Sequence, residues 1–166
     1  MTAPNPLPEA LRPLFDQRAT QYAALPKPKS NPADQREMLV FTLGTETYAL
    51  DAAHIQAIRP LPTITRVPNA PSYYPGVVNL RGVVLTVFDL RGYLNLPQTS
   101  PAHELIIVHY SGRPLGFLAE HVSEVVRIPK SQIEPLEDRR AALGVYAHAG
   151  ALITLLDLER LFTETL

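Results

Sequence analysis

Alternating apolar and polar positions, separated by glycine or proline turns, characterise most of the chain. Residues 39–43 form one such run, a turn is predicted at 44–47, and the chain returns through 48–50. A second hairpin of the same design is predicted from 105–110 to 115–118. Alternation at a period of two residues is typical of strands with one buried face. The pattern therefore predicts a mainly β protein built from short hairpins.

An internal repeat relates the two halves of this β-rich body. Residues 76–90 correspond to 144–158, with both glycines, a threonine and an Asp-Leu pair at matching places. Upstream, residues 40–55 correspond to 107–122. Two copies indicate a duplicated unit rather than a solenoid, which needs three or more. The half-repeats span about 39–97 and 104–162.

The tightest predicted hairpin spans residues 77–88 and turns at Arg81 and Gly82. Glycine supplies the positive φ that such a turn requires. Within the hairpin, residues 79–81 read Asn-Leu-Arg, whereas the second half-repeat has Ala-His-Ala at 147–149. What both copies share is explained as framework, so function is sought in what one copy carries. Arg81 is therefore expected to serve recognition or to bridge the two halves.

Asp89 and Asp157 follow the two hairpins at equivalent places, each before a short apolar segment. An aspartate there caps the free N–H groups of a helical turn. Both are therefore predicted to be helix caps, with no catalytic role.

The first 37 residues have a different pattern. Residues 9–25 carry apolar side chains at helical spacing and predict one amphipathic helix, and the proline- and lysine-rich segment 26–32 predicts a stiff linker. A helix this short is marginal alone, so it is expected to dock on the body or on a partner. We divide the chain into an N-terminal extension, 1–37, and a β domain, 38–166.

Composition narrows the possible functions. A length of 166 residues favours one domain, and a net charge of −1 argues against nucleic-acid binding, which needs a basic face. No cysteine is present, the five histidines form no metal-binding pair, and neither a serine elbow nor a phosphate loop occurs. We expect no enzyme activity, no cofactor and no metal site. No apolar run is long enough to span a membrane and no signal peptide is visible, which predicts a cytoplasmic location.

Apolar strand residues are more numerous than the interior of one small barrel accepts. They are Ile55, Ile58, Val78, Leu80, Val122, Val125 and Val126, together with the hairpin positions Val83 and Val84. Exposed apolar stripes on strands usually mark partner sites. The surplus predicts a protein-binding surface, and the alternative is that these residues fill a seam of Val, Ile and Leu between the halves.

Several segments resemble the CheW-like coupling proteins of bacterial chemosensory systems. The central match, residues 64–96, reads ITRVPNAPSYYPGVVNLRGVVLTVFDLRGYLNL. Three further matches read LVFTLGTETYAL at 39–50, HVSEVVRIPKSQIEPL at 121–136 and ALITLLDLERLF at 151–162. The resemblance covers roughly residues 38–162, in order and without large gaps.

The resemblance implies two intertwined SH3-like five-stranded β-barrels, with the N-terminal helical extension outside the match. It implies an adaptor without catalysis that joins chemoreceptor tips to the regulatory domain of a CheA-type histidine kinase and is recruited to membrane-bound receptor arrays. That kinase domain has the same fold, and the two pack through pseudo-equivalent barrel faces into rings. Carried onto this chain, and together with the residues singled out above, the expected protein-binding residues are Ile55, Ala57, Ile58, Gly76, Val78, Asn79, Leu80, Arg81, Gly82, Val122, Val125 and Val126.

One departure from the family pattern concerns the receptor contact. Enteric-type members have an acidic residue at the position of Ala57. Two other functions remain open: a scaffold of a chemosensory-like pathway that controls pilus motility or gene expression, and a barrel protein that binds a small ligand.

Overall fold

The fold is mainly β, as predicted. The computed structural model describes residues 31–165, so the predicted helix at 9–25 and most of the predicted linker lie outside the described residues. The strands in this range are β1 (Gln35–Leu43), β2 (Glu46–Asp51), β3 (Ile55–Pro60), β4 (Thr65–Arg66), β5 (Gly76–Leu80), β6 (Val83–Phe88), β7 (Glu104–Tyr110), β8 (Arg113–Ala119), β9 (His121–Pro129), β10 (Glu134–Pro135), β11 (Ala142–His148) and β12 (Ala151–Leu156). The α-helices there are α1 (Leu90–Leu94) and α2 (Leu158–Thr165).

The two half-repeats exchange their first hairpins. One sheet, here called sheet A, has the strand order β10-β11-β12-β2-β1-β9, and sheet B has the order β3-β7-β8-β6-β5-β4. The β1–β2 hairpin of the first half therefore lies among strands of the second, and β7–β8 lies among strands of the first. Parallel pairing of β12 with β2 and of β6 with β8 joins the halves. The predicted intertwining is confirmed.

Each sheet contains five strands of at least five residues and one strand of two residues, β4 or β10. Strand β4 pairs antiparallel with Gly76 and Val77 at the start of β5. Strand β10 pairs antiparallel with Gly144 and Val145 near the start of β11. The five longer strands are the ones that the sequence pattern and the resemblance led us to expect.

The turns of the β1–β2 and β7–β8 hairpins are tighter than predicted. Four-residue turns were expected, but β2 already begins at Glu46 and β8 at Arg113, which leaves two residues in each turn. Positive φ at Gly44 (63°) and Gly112 (76°) allows the chain to reverse within two residues.

The interior is divided into three apolar clusters. One lies within sheet A and includes Met38, Val126 and Ile128; another lies within sheet B and includes Val78 and Leu105. The largest draws residues from both sheets and both helices. It includes aromatic rings that the predicted Val, Ile and Leu seam lacks: Phe41, Tyr48, Phe88, Tyr93, Phe117 and Phe162. The seam between the halves is therefore aromatic as well as aliphatic.

Both predicted helix caps are confirmed. Asp89 Oδ1 accepts a hydrogen bond from the Arg91 N–H at 3.0 Å, and Asp157 Oδ1 accepts one from the Glu159 N–H at 2.9 Å. Each helix follows the last strand of its half-repeat and places apolar side chains on the central cluster.

Candidate functional site

The β5–β6 turn is built by its own residues. Asn79 Oδ1 accepts a hydrogen bond from the Gly82 N–H at 2.9 Å. Arg81 and Gly82 have φ values of 51° and 85°, the positive pair that a two-residue hairpin turn of the I′ class requires. Asn79 therefore has a structural role, although only one half-repeat carries it.

Arg81 lies exposed at the tip of this hairpin. Within residues 31–165 its side chain makes no hydrogen bond and no ion pair. The predicted bridge between the halves is therefore absent from this part of the chain. A role in recognition remains the hypothesis for Arg81.

Exposed apolar side chains lie beside this turn. Val83 and Val84 are 51% and 63% exposed, whereas Leu80 is half-buried. In the other half-repeat, Leu152 is 66% exposed and takes the place of Val84, because both follow the turn glycine by two residues. Each sheet thus presents an exposed apolar residue two positions after the turn glycine, and sheet B has Val83 beside it. Leu152 was not among the predicted binding residues, although the repeat offset points to it.

Five of the predicted binding residues are buried. Ile55, Val78, Val122 and Val126 are between 1% and 8% exposed, because their strands turn these side chains inward. Gly76 is also buried, and a Cβ there would lie 2.0 Å from the Thr65 carbonyl oxygen. A partner cannot reach these residues on the surface. Ile55 and Val122 lie in the central cluster, as the alternative of a seam between the halves expects, whereas Val78 and Val126 lie in the clusters within sheets B and A.

The remaining edge-strand residues are half-buried at equivalent positions. Ile58 on β3 and Val125 on β9 both pack against the central cluster from partly exposed sites, and Ala57 packs against the cluster of sheet B. In the sheet order, however, three strands separate β3 from β5, and β9 belongs to the other sheet. Along the sheets, the predicted residues that are not buried therefore lie in three separate places, at one hairpin tip and on two edge strands.

A buried ion cluster was not predicted. Arg91 donates from Nε and Nη2 to the two carboxylate oxygens of Asp89, both at 2.9 Å, and from Nη1 to the Ser100 carbonyl at 2.6 Å. Nη1 also lies 3.2 Å from Glu120 Oε1. The hydrogen bond that Arg91 donates to Asp89 is the main cause that raises the pKa of Arg91. Asp89 is thus more than a helix cap, because its carboxylate also anchors the segment that connects the halves.

A second polar cluster lies in a small cleft between α1 and the loop before β11. Tyr48 donates its hydroxyl to Glu46, and Arg139 lies 3.5 Å from Glu46 and 3.1 Å from the Thr154 hydroxyl. Burial, followed by this hydrogen bond to Glu46, raises the pKa of Tyr48. These groups satisfy one another and hold β2, β12 and the loop together.

Neither a metal site nor a membrane span is found in the described range. No group of three or more His, Cys, Asp or Glu side chains there could hold a metal ion. No helix within residues 31–165 is long and apolar enough to cross a membrane.

Comparison with known proteins gives one consistent result. A family model described as the CheW-like domain matches residues 37–166. A probable chemotaxis protein CheW of Rhizobium etli is 30% identical over 145 residues, covering 82% of this chain and 94% of that protein. The chemotaxis protein CheW of Klebsiella aerogenes is 31% identical over 139 residues, covering 78% and 82%.

A solved structure has the same fold. The scaffolding protein TtCheW from Thermoanaerobacter tengcongensis superposes with a TM-score of 0.68 at 26% identity, covering 74% of this chain and 88% of that one. Sequence and architecture therefore agree on the likeness.

Proposed function

The chain belongs to the CheW-like family and is a chemotaxis adaptor, and we propose that it couples chemoreceptor tips to the regulatory domain of a CheA-type histidine kinase. The observation that carries this proposal is the pair of exposed apolar residues, Val84 and Leu152, at equivalent places in the two sheets. In this proposal the protein acts without catalysis, by presenting surfaces to its partners.

The two hairpin faces are the exposed side of the β5–β6 hairpin around Val84 and that of the β11–β12 hairpin around Leu152. Both are proposed to bind the kinase regulatory domain. The residue opposite Val84 is Asn79, and the one opposite Leu152 is Ala147. Each exposed apolar residue therefore has a small, uncharged side chain as its cross-strand neighbour. Exposed apolar strand residues of this kind usually mark partner sites. A domain of the same fold would present equivalent faces of its own, so each adaptor has one place for a partner on either side.

Receptor contact is proposed at the edge strands and the Arg81 tip. Ile58 and Val125 offer half-buried apolar positions at the edges of the two sheets, where an apolar stripe of a helix would bind. The exposed guanidinium of Arg81 offers a fork of donors that fits a carboxylate on that helix. Because Ala57 carries no charge, this adaptor would depend on Arg81 for polar recognition.

Weak single contacts are sufficient for this function. Faces formed by a few strand residues suit small interfaces and micromolar affinity. In an array of membrane-bound receptors, many such contacts act together and raise the effective concentration of each. Receptor binding would therefore bring the adaptor to the membrane-bound receptor array.

The test is a titration of the purified full chain against its cognate kinase regulatory domain and receptor tip. Val84→Glu and Leu152→Glu should each weaken kinase-domain binding at their own face by at least about tenfold, because a buried unpaired carboxylate is costly, and the double variant should lose binding at both faces. Arg81→Ala should weaken receptor binding and leave kinase-domain binding unchanged. Thr99→Glu adds the same charge on an exposed loop and serves as the control.

Two results would contradict the proposal. The first is that the wild-type chain binds neither domain at concentrations up to about 1 mM, which would favour the small-ligand alternative. The second is that the double variant Val84→Glu with Leu152→Glu binds the kinase domain as tightly as Thr99→Glu does, which would place the interface elsewhere.

A further inference from the structure

The small cleft between α1 and the loop before β11 has space for one side chain. It encloses about 130 Å³, and its apolar walls include Leu94 on α1 and Leu156 on β12. A cavity of roughly 150 Å³ accepts a benzene ring. The cleft is therefore close to the size of one aromatic ring.

The equivalent place beside sheet B is filled by aromatic rings of the chain itself. Three aliphatic residues at or beside the cleft correspond to aromatic residues at the repeat offset: Leu94 to Phe162, Ala142 to Tyr74, and Leu156 to Phe88. The rings of Tyr74 and Phe162 lie 4.2 Å and 5.5 Å from that of Phe88. In contrast, Ala142 pairs with Leu156 across β11 and β12. The cleft therefore has smaller side chains where the other half of the molecule has rings.

Two charged residues beside this space have no partner in the described range. Glu46 and Arg139 pair with each other at 3.5 Å. Asp138 and Arg140 also line the cleft and are exposed, and within residues 31–165 neither side chain makes a hydrogen bond or an ion pair. The cleft thus fits an aromatic ring that has charged groups of both signs close to it.

One segment of the chain that lies outside the described residues has this combination. Residues 1–30 contain two aromatic residues, Phe15 and Tyr22. Phe15 is followed by Asp16 and has an arginine three positions before it and three positions after it. Tyr22 has no charged residue within three positions on either side. Phe15 is therefore the aromatic residue of this segment that matches the cleft.

The segment is long enough to reach the cleft. Lys130 Nζ donates a hydrogen bond to the Ala33 carbonyl at 3.1 Å, so the N-terminal extension joins the described part of the chain beside Lys130. Residues 130 and 140 are ten positions apart, which limits their separation to about 36 Å. From Asn31 back to Asp16 the chain spans about 50 Å when extended, and about 34 Å with the predicted helix formed. Either length allows the segment to reach Arg140.

We propose that the cleft binds the Phe15 segment of the same chain, with the phenyl ring inside the cleft, Asp16 facing Arg140, and Arg12 or Arg18 facing Asp138. Burial of the ring supplies the apolar contribution, and the exposed ion pairs orient the segment. Because the segment is tethered, its effective concentration is high and weak contacts are sufficient. Docking also stabilises a helix that is marginal alone.

The docked segment would lie beside a face of the proposed function. Thr154 and Leu156 line the cleft, and Leu152 lies on the same face of β12, because side chains alternate along a strand. Leu152 and Thr154 are about 7 Å apart along the strand, whereas a helix is roughly 10 Å wide. If the proposed function is correct, the segment therefore competes with the kinase regulatory domain at the Leu152 face. Docking itself requires no partner.

Tryptophan fluorescence of the full chain tests the docking. The chain has no tryptophan, so Phe15→Trp supplies a single probe, and Gln17→Trp places the same probe on the opposite side of the predicted helix. Emission of Phe15→Trp should lie at shorter wavelength than that of Gln17→Trp, and acrylamide should quench it less, because the cleft removes the ring from water. Adding Arg140→Glu should lower the docking equilibrium constant about fivefold and expose the probe. Adding Asp16→Arg as well should restore its protection.

Docking is excluded if the two probes emit and quench alike, or if Arg140→Glu leaves a protected Phe15→Trp probe unchanged. Protection that appears only as the protein concentration is raised would mean that the cleft takes the segment of a second copy, and would overturn docking within one chain.

A separate measurement tests the competition. In a Val84→Glu chain, which keeps only the Leu152 face, Phe15→Ala should strengthen kinase-domain binding in proportion to the fraction of molecules in which the segment is docked. If the probe is protected but Phe15→Ala does not change kinase-domain binding, the competition is wrong and the docking stands. If the probe is protected while neither partner domain binds, only the proposed function is wrong.

Discussion

Two pairs of glycines recur in the half-repeats, and they recur for different physical reasons. Gly76 and Gly144 allow a close approach of backbone, since a Cβ would lie 2.0 Å from the Thr65 carbonyl oxygen or 2.5 Å from that of Glu134. Gly82 and Gly150 have positive φ, and a Cβ there would meet no atom within 4 Å. Gly144 is limited by space, Gly76 by space and by its φ of 153°, and the second pair by conformation.

These differences predict unequal costs for the same substitution. Gly82→Ala should lower the free energy of unfolding by about 1–2 kcal/mol, the cost of a left-handed backbone for an L-residue. Gly76→Ala should cost on the order of 3 kcal/mol or more, since β4 must move as well. Urea denaturation of both variants measures the two costs. Equal values would contradict the explanation, and Gly144→Ala should resemble Gly76→Ala.

Arg91 is predicted to be a major contributor to stability. Its side chain is 6% exposed, and Arg91→Ala would leave the carboxylates of Asp89 and Glu120 without their cation. Removing one partner of a buried ion pair costs about 3–5 kcal/mol. Arg160→Ala is the control, because its 55% exposed side chain lies 3.8 Å from Asp157 and donates to the Ala142 carbonyl at 3.0 Å, which together should contribute only about 1 kcal/mol. Similar denaturation midpoints for the two variants would show that the cluster is not stabilising.

At the scale of elements, the alternation of side chains and the repeat predicted most of the fold. The hairpins, the Arg81–Gly82 turn and both aspartate caps follow from local residue types, because turns and caps depend on a few neighbouring atoms. Burial was harder to predict, because β5 and β6 carry consecutive valines. Pattern alone does not tell which of two adjacent valines faces inward, so Val78, which follows Val77 on β5, was expected on the surface but is buried.

Non-local features were the ones that the sequence missed. The cluster of Arg91 joins residues nearly thirty positions apart, and the pair of His148 with Glu124 crosses sheet A from one strand to another. Such contacts depend on how the sheets curve and interleave, which local spacing does not specify. Leu152 is an exception, since comparison of the two half-repeats would have identified it.

The hairpin exchange makes a prediction about fragments. Residues 31–97 and 98–166 each lack the hairpin that completes their sheet, so neither should fold alone. Mixed at equal concentrations, they should form a folded complex, because each supplies two strands to the other's sheet. Circular dichroism and size-exclusion chromatography distinguish these outcomes. A cooperative unfolding transition of either fragment alone would contradict the interdependence of the halves.

At the scale of the whole molecule, the duplication gives one adaptor two similar faces that are not identical. Val84 lies beside Asn79, and Leu152 lies beside Ala147, so the pseudo-symmetry preserves an exposed apolar residue while changing its neighbours. Two identical faces would favour the same contact on both sides. Two different faces allow an adaptor to have a distinct partner surface on each side, as the ring that the family resemblance implies would require.

This arrangement predicts the stoichiometry of binding. In a titration with excess kinase regulatory domain, the wild-type chain should bind two domains. Val84→Glu and Leu152→Glu should each bind one, and the double variant none, because each charge blocks only its own face. Mass photometry or sedimentation velocity measures these ratios, with Thr99→Glu again expected to behave as the wild type. If the wild-type chain binds one domain, and only one of the variants Val84→Glu and Leu152→Glu abolishes that binding, then a single hairpin face binds the kinase domain. The other face would then be free for a different contact, and the alternating ring would need an interface that the exposed apolar residues do not provide.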